Sequence, residues 1–132
     1  MIRAVLADSG PLFAIADESD GHHERALREF ELLARDRREI LVPYPILLET
    51  FTLALFRLGR KSASDWLTQI LLAALVNPTP EDYRRAATQV LAPLHQSITL
   101  VDATVAAVAI RLGLQVWTYD HHFDAMRIPV WR

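Results

Sequence analysis

The sequence predicts an α/β fold, a three-layer α/β/α sandwich with a mostly parallel central sheet. The chain has 132 residues, 52% hydrophobic and 23% charged, which is enough apolar material for one buried core. Short apolar runs alternate with longer segments of helical periodicity, and this alternation is typical of βαβ units. Cysteine is absent, which excludes disulfide scaffolds and thiolate metal sites. We therefore predict a single domain over residues 1–132.

The first half of the chain divides into two strands and three helices. Val5 begins a short apolar run, and Pro11 after it suits the first turn of a helix. Apolar residues then recur at helical spacing. A proline ends the second apolar run, and Gly59 ends the helix that follows. We expect strands at residues 5–7 and 40–42 and helices at residues 12–16, 22–38 and 45–58.

The second half continues the alternation. Ser62 is expected to cap a helix, with Asp65 three residues later. The run Thr-Pro-Glu-Asp at residues 79–82 is a strong helix start, and its apolar positions continue as far as Leu94. Further strands are predicted at residues 75–76, 98–101, 115–118 and 128–130. Further helices are predicted at residues 62–74, from 80 onward, at 102–112 and at 121–126.

Four acidic residues fall near the carboxyl ends of the predicted strands. Asp8 follows the strand predicted at residues 5–7, and Asp102 follows the one predicted at 98–101. Asp120 lies just beyond the strand predicted at 115–118. Glu49 lies one turn into the helix after the second strand. Because ligands of open parallel sheets bind outside the carboxyl ends of the strands, we expect these four carboxylates to converge on one edge.

Each acid also has a purely structural interpretation. Asp8 and Asp102 suit helix N-caps, and Asp120 suits a turn with local side-chain bonds. Glu49 differs, because its helical face is apolar and no basic residue lies three or four positions away. Burying its charge without a partner costs roughly several kcal/mol, so we expect a cation beside it.

A cluster of carboxylates requires a cation, because like charges otherwise force some members to protonate. Hard oxygen ligands favour Mg²⁺ or Mn²⁺ over zinc. Such an ion lowers the pKa of a bound water and stabilises charge on a phosphodiester. The pattern therefore indicates metal-dependent hydrolysis of a nucleic-acid backbone.

Other acidic α/β sites do not fit this sequence. A phosphatase of the haloacid dehalogenase type needs a second Asp two residues after the nucleophile, where this chain has Gly10. A response-regulator receiver needs a lysine after a late strand, but Lys61, the only lysine, lies mid-chain. A Toprim site requires Asp-x-Asp near the end, where Asp120 is followed by two histidines.

Four segments together carry a family resemblance. They are Val-Leu-Ala-Asp-Ser at residues 5–9, Leu-Leu-Glu-Thr at 47–50, Val-Asp-Ala and the small-residue helix at 101–109, and Thr-Tyr-Asp-His-His-Phe at 118–123. In this order and spacing they resemble the PIN domain, and within it the VapC-type toxins of bacterial type II toxin–antitoxin systems. The resemblance covers essentially the whole chain.

The resemblance implies a Mg²⁺- or Mn²⁺-dependent endoribonuclease, held inactive by a cognate VapB-type antitoxin. The metal-binding and catalytic residues that it implies are four acids, Asp8, Glu49, Asp102 and Asp120. Ser9 and Thr118 would orient carboxylates or water. Asp124 is an additional acid that either supports Asp120 or is solvated.

We expect RNA as the substrate, the antitoxin as a protein partner, and a homodimer. The helices at residues 45–58 and 62–74 carry more apolar surface than one sheet face needs. This surplus suits a groove for an amphipathic helix or a dimer contact. The sequence has no apolar run long enough for a membrane span and no leader pattern, so we expect a cytoplasmic protein without membrane contact.

The net charge of −2 provides no basic footprint for nucleic acid. Five basic residues are candidates for contacting RNA phosphates, although each also suits a solvated helix face: Arg57, Arg60, Lys61, Arg84 and Arg85. The alternative function is a catalytically idle PIN scaffold acting as an RNA-binding or protein-interaction module. The intact acidic quartet argues against it. A DNA nuclease of the flap-endonuclease type would need a helical clamp for which this chain lacks room.

Overall fold

The computed structural model describes residues 3–93 and 97–132. Its centre is a four-stranded sheet in which every neighbouring pair of strands is parallel. The strands are β1 (Ala4–Ala7), β2 (Glu39–Pro43), β3 (Ala74–Val76) and β4 (Gln115–Trp117). Their order in the sheet is β3-β2-β1-β4. The register pairs Leu6 of β1 with Leu41 of β2 and with Val116 of β4.

The helices in the described ranges are α1 (Ser9–Ala16), α2 (His23–Arg35), α3 (Tyr44–Leu58), α4 (Arg60–Ile70), α5 (Pro80–Leu91), α6 (Leu100–Leu112) and α7 (His122–Ala125). Crossovers between parallel strands are right-handed. The chain therefore places α1 to α4 on one face as it moves from β1 to β3, and α5 and α6 on the other as it returns to β4. α1 packs against α2 and α3, whereas α5 packs against α6. The predicted three-layer α/β/α sandwich with a mostly parallel sheet is confirmed. Within residues 3–93 and 97–132, each helix is too short or too polar to cross a membrane.

The core is centred on β1. Its Val5, Leu6 and Ala7 are fully buried, because β2 and β4 flank the strand and helices cover both faces. Trp117, at the end of β4, and Phe123 of α7 are fully buried as well. Burial of a side chain such as Phe123 contributes about 1.5–3 kcal/mol. The backbone just beyond β1 and β4 is therefore held in place by well-packed neighbours.

The predicted strand at residues 98–101 is wrong. Helix α6 begins at Leu100, and Thr99 is its N-cap. The Thr99 hydroxyl accepts a 3.0 Å hydrogen bond from the amide of Asp102, and Ile98 packs against α5. Capping chemistry, a Thr three residues before an Asp, outweighs the apolar run. Asp102 is therefore neither at a strand end nor an N-cap, and it lies in the first turn of α6.

The predicted cap at Ser62 is also wrong. Helix α4 begins directly after Gly59, whose φ of 90° is in the left-handed region that favours glycine. Ser62 consequently lies inside the first turn. Asp65 does not take part in a capping box, and instead its carboxylate accepts a 3.1 Å hydrogen bond from Lys61.

Other predicted boundaries are shifted by a few residues. Helix α2 ends at Arg35 rather than at residue 38, because the chain turns at Arg37, whose φ is 56°. The strand predicted at residues 128–130 is reduced to one parallel bridge between Val130 and Val116. Leu94, the last apolar position predicted for α5, lies outside the described residues.

A buried ion pair ties α5 to α6. Thr79 and Asp82 form the predicted helix start as a capping box, with hydrogen bonds of 3.1 and 2.9 Å. The Asp82 carboxylate is only 1% exposed and accepts three hydrogen bonds of 2.8–3.1 Å from Arg111. These bonds from Arg111 hold the pKa of Asp82 below its ordinary value. The two helices of this face are thus joined by charge as well as by packing.

Candidate active site

The strand order places a crevice between β1 and β4. From β1 the chain crosses to β2 on one side, and it returns much later to β4 on the other side. Ligands of open parallel sheets bind at such a reversal, outside the carboxyl ends of the strands. Asp8 directly follows β1, and Asp120 lies three residues beyond β4. Both acids therefore lie at this reversal, as the sequence predicted for the carboxyl edge.

Asp8 is the most buried acid of the site, with 4% of its surface exposed. Its amide donates a 2.9 Å hydrogen bond to the carbonyl of Trp117, and its Oδ2 accepts one of 2.7 Å from the Thr118 hydroxyl. Its Oδ1 is buried and has no hydrogen-bond partner among the described residues. Burial raises the pKa of the Asp8 carboxyl to about 6 from 3.8, in spite of the Thr118 hydrogen bond.

Asp120 is held by local bonds and still faces the site. Its amide donates a 2.9 Å hydrogen bond to the Thr118 hydroxyl, which thus connects two of the acids. Its Oδ1 accepts a 2.9 Å hydrogen bond from the amide of His122. The turn interpretation of Asp120 is therefore confirmed, and the local bonds orient its carboxylate toward the other acids.

Asp102 enters the site from the first turn of α6. Thr99 satisfies its backbone amide, so the carboxylate is not used for capping. Three small residues of α6 are buried and let this helix pack closely: Ala103, Ala106 and Ala107. Burial first, and the neighbouring charge of Asp120 second, raise the pKa of Asp102. The Asp102 carboxylate therefore experiences the repulsion expected inside an acidic cluster.

Glu49 lies in the site, but the expectation that it is buried is wrong. Glu49 is exposed, because this side of α3 faces outward. Phe56, on the same face of the helix, is exposed as well. Oε1 of Glu49 accepts a 2.7 Å hydrogen bond from the Ser9 hydroxyl. Ser9 thus positions the carboxylate of Glu49. The buried acids of the four are Asp8 and Asp102.

All four predicted acids line one open cleft of about 380 Å³. Its lining consists of Asp8, Ser9, Gly10, Glu49, Thr99, Asp102, Tyr119 and Asp120. The donor set fits a divalent cation, because four carboxylates line the cleft and the buried Oδ1 of Asp8 has no hydrogen-bond partner within residues 3–93 and 97–132. The residues that could hold such an ion are the four acids. Ligand atoms of Asp102, Asp120 and His122 also lie within 4.8 Å of one another.

Comparison with known families identifies the fold. Residues 5–129 match the family profile of the PIN domain. The chain belongs to the PIN-domain family. A search of curated protein sequences gives no match.

Solved structures with the same fold include three bacterial proteins. VapC20 of Mycobacterium tuberculosis, described as a Sarcin-Ricin loop cleaving toxin, aligns with a TM-score of 0.85 and 23% identity, covering 97% of this chain and 98% of that one. VapBC2 of Rickettsia felis, bound to a DNA fragment from their promoter, aligns with a TM-score of 0.75 and 14% identity, covering 98% of this chain and 97% of that one. FitAcB of Neisseria gonorrhoeae aligns with a TM-score of 0.74 and 17% identity, covering 97% of this chain and 96% of that one. At these identities the likeness establishes a shared fold.

The predicted RNA-contacting residues of this PIN domain do not line the acidic cleft. Lys61 pairs with Asp65 within α4, and Arg84 and Arg85 pair with Glu81 within α5. The two remaining candidates, Arg57 and Arg60, lie at the junction of α3 and α4. Their role in RNA binding stays a prediction.

Asp124 is set apart from the acidic cluster. Its carboxylate forms an exposed ion pair of 2.9 Å with Arg132. It lines a second cleft of about 220 Å³ that adjoins the first at Tyr119 and Asp120. Of the two sequence interpretations, the structure thus favours a solvated Asp124 over a direct contact with Asp120. Its function stays a prediction.

A polar network next to the site was not predicted. Glu29 of α2 is buried and accepts hydrogen bonds from the indole of Trp117 and the hydroxyl of Tyr119. Arg25 pairs with Glu29 at 3.4 Å and lies 4.3 Å from the centre of the Tyr119 ring. The sequence offers no local signal for the contacts of Glu29 with Trp117 and Tyr119, because Glu29 lies about 90 residues from both. The network fixes Tyr119 at the rim of the acidic cleft.

Proposed function

We propose that this PIN domain is a divalent-metal-dependent endoribonuclease and the toxin of a VapBC-type toxin–antitoxin pair. The observation that carries the proposal is the presence of four carboxylates in one cleft, with a buried Asp8 oxygen that has no hydrogen-bond partner in the described part of the chain. The fold similarity to a Sarcin-Ricin loop cleaving toxin supports RNA as the substrate class. Mg²⁺ and Mn²⁺ are the ions that this set of oxygen ligands suits.

The chain's own residues divide the work between binding and positioning. The acids that would hold the ion or ions are Asp8, Glu49, Asp102 and Asp120. When bound, a divalent ion stabilises charge on the phosphodiester and lowers the pKa of the attacking water. Thr118 orients Asp8 through a hydrogen bond and fixes the backbone of Asp120, and Ser9 orients Glu49. Such positioning matters, because a displacement of about 1 Å can cost ~10²-fold in rate.

Mg²⁺ or Mn²⁺ is expected to raise the midpoint of thermal unfolding. An ion that binds only the folded state stabilises it by about 2.7 kcal/mol at a concentration 100 times Kd. The measurement is a thermal melt in EDTA and across a titration of each ion. A melting temperature that stays constant through millimolar concentrations of both ions would count decisively against a shared metal site.

We propose that the antitoxin binds in an apolar groove on the α1–α4 face. This groove has a volume of about 370 Å³ and is lined by Leu12, Ile15, Phe30, Trp66, Gln69, Ile70, Leu72 and Ala73. Leu72 is 82% exposed, and the ring of Phe30 is also exposed. Apolar side chains in a groove suit the apolar face of an amphipathic helix. An arginine of the antitoxin that reaches the acidic cleft would pair with its carboxylates in bidentate geometry.

Leu72→Asp is expected to weaken antitoxin binding by about tenfold or more, since it places a charge where an apolar contact forms. The partner to be tested is the product of a small open reading frame next to the one for this chain, and calorimetry measures the affinity. Leu91→Asp is the matched control, because Leu91 is 81% exposed but lies on α5, on the other face of the sheet. Equal affinities for the two variants would exclude this groove as the docking surface. Absence of a neighbouring small open reading frame would weaken the toxin assignment and leave the nuclease assignment intact.

The homodimer stays a prediction. Leu48 and Phe56 of α3 are exposed apolar residues on the helix that carries Glu49. A second copy of the chain that packed against them would therefore lie beside the acidic cleft.

A further inference from the structure

His122 contacts two of the four acids in the cleft. Its Nδ1 lies 3.0 Å from Oδ1 of Asp120 and 3.6 Å from Oδ2 of Asp102. Its side chain is 22% exposed, and its backbone amide is hydrogen bonded to the Asp120 carboxylate. The amide bond and the ring thus hold the same carboxylate, which directs the ring toward the cleft.

The neighbouring His121 provides an internal contrast. It follows Asp120 directly, but its side chain is 86% exposed and its Nδ1 lies 3.9 Å from Oδ1 of Asp120. The two rings contact each other, with centres 4.5 Å apart. Successive helical residues point in different directions. Of this pair, only His122 has a nitrogen close to two carboxylates.

The spacing of these atoms matches the ligands of a single ion. An octahedral ion with bonds of about 2.1 Å places adjacent ligand atoms about 3.0 Å apart and opposite ones about 4.2 Å apart. The distance from His122 Nδ1 to Asp120, 3.0 Å, equals the adjacent value, and the distance to Asp102, 3.6 Å, lies between the adjacent and the opposite values. The ligand atoms of Asp102, Asp120 and His122 all lie within 4.8 Å of one another. One ion can therefore contact all three residues with small side-chain adjustments.

We propose that His122 supplies a nitrogen ligand to the divalent ion held by Asp102 and Asp120, and that this nitrogen makes the site prefer Mn²⁺ over Mg²⁺. The inference rests on the metal site of the proposed function and adds to it a ligand and a preference. Mg²⁺ takes oxygen ligands and gives up its waters reluctantly, whereas imidazole nitrogen suits first-row transition ions. A carboxylate-only cluster would have no such preference built into its donor set.

The test measures metal binding without RNA, using MnCl₂ and MgCl₂ as the probes. Pulsed electron paramagnetic resonance of bound Mn²⁺ detects a coordinated nitrogen directly, and calorimetry gives the affinity for each ion. We expect nitrogen coupling in the wild type and in His121→Gln, and its loss in His122→Gln. We expect His122→Gln to weaken Mn²⁺ binding by about tenfold or more, with a smaller loss for Mg²⁺. Circular dichroism verifies that each variant is folded.

The possible results separate this inference from the proposed function. Mn²⁺ bound to the wild type without nitrogen coupling overturns the role of His122 and leaves the nuclease proposal standing. Nitrogen coupling that persists in His122→Gln, or that disappears in His121→Gln, also overturns it. The wild-type spectrum alone decides the matter if His122→Gln does not fold. Failure of the wild type to bind either ion overturns both proposals.

Discussion

Asp102→Asn is expected to lower RNA cleavage by about 10²-fold or more while leaving the fold intact. The change removes one anionic ligand, which weakens metal binding and misplaces the reacting groups. The fold is retained because the helix cap of α6 uses the hydroxyl of Thr99 and the backbone amide of Asp102, not the Asp102 carboxylate. The measurement is cleavage of bacterial total RNA by purified protein with Mg²⁺ or Mn²⁺, alongside circular dichroism.

Asp65→Asn is the matched control for this experiment. It changes the charge equally, but Asp65 is 70% exposed and pairs only with Lys61 on the surface of α4. Its activity should equal that of the wild type. Asp82 is unsuitable as a control, because its carboxylate is buried against Arg111. If Asp102→Asn cleaves RNA as well as the wild type does, the quartet is not the active site. If the wild type itself does not cleave RNA, the idle-scaffold interpretation takes the place of the nuclease.

Arg111→Met is expected to cause the largest loss of stability among the single changes considered. It leaves the buried Asp82 carboxylate without its counter-ion. This costs about 2 kcal/mol, below the ~3–5 kcal/mol for a fully buried pair, because Arg111 is partly exposed. The corresponding fall in melting temperature is about 6–10 °C. Arg84→Met is the control, since Arg84 forms an exposed pair with Glu81 and its loss should cost within about 0.5 kcal/mol.

The same pair gives stability a defined dependence on pH. Arg111 lowers the pKa of Asp82 in the folded state, relative to about 3.9 in the unfolded chain. The stabilisation is therefore fully present above about pH 4, and it is lost as the pH falls through the lowered folded-state pKa. The difference in unfolding free energy between wild type and Arg111→Met should shrink as the pH falls below about 4. A difference that stays constant between pH 7 and pH 3 would contradict an ion pair as its source.

Local sequence patterns predicted the four strands of the sheet and the positions of Asp8 and Asp120. Val5 to Ala7 form a strand because a buried parallel strand is apolar on both faces, and this signal is contained in a few residues. Asp8 and Asp120 were placed correctly because position after a strand suffices to put a side chain at the carboxyl edge. The resemblance implied that Ser9 and Thr118 orient carboxylates, but it did not identify the carboxylates that they contact, Glu49 and Asp8, which lie 40 and 110 residues away.

Tertiary contacts decided what sequence patterns could not. Glu49 was expected to be buried from its apolar helical neighbours, but exposure depends on what packs against that face, and the described residues leave it open. The apolar run at residues 98–101 resembles a strand, yet Thr99 caps a helix there. His122 came near Asp102 only through the docking of α7 on α6, 20 residues away along the chain. Contacts of this kind have no local signature.

The order in which the strands occur along the chain bears on how the protein is synthesised. Asp8 is made first, whereas Thr118 and Asp120 follow β4, the last strand of the sheet to be translated. A nascent chain that stops before β4 lacks both the hydroxyl that orients Asp8 and one of the four carboxylates. The site is therefore assembled only near the end of translation. Under the proposed function, an incomplete chain therefore lacks the complete set of acids that RNA cleavage requires.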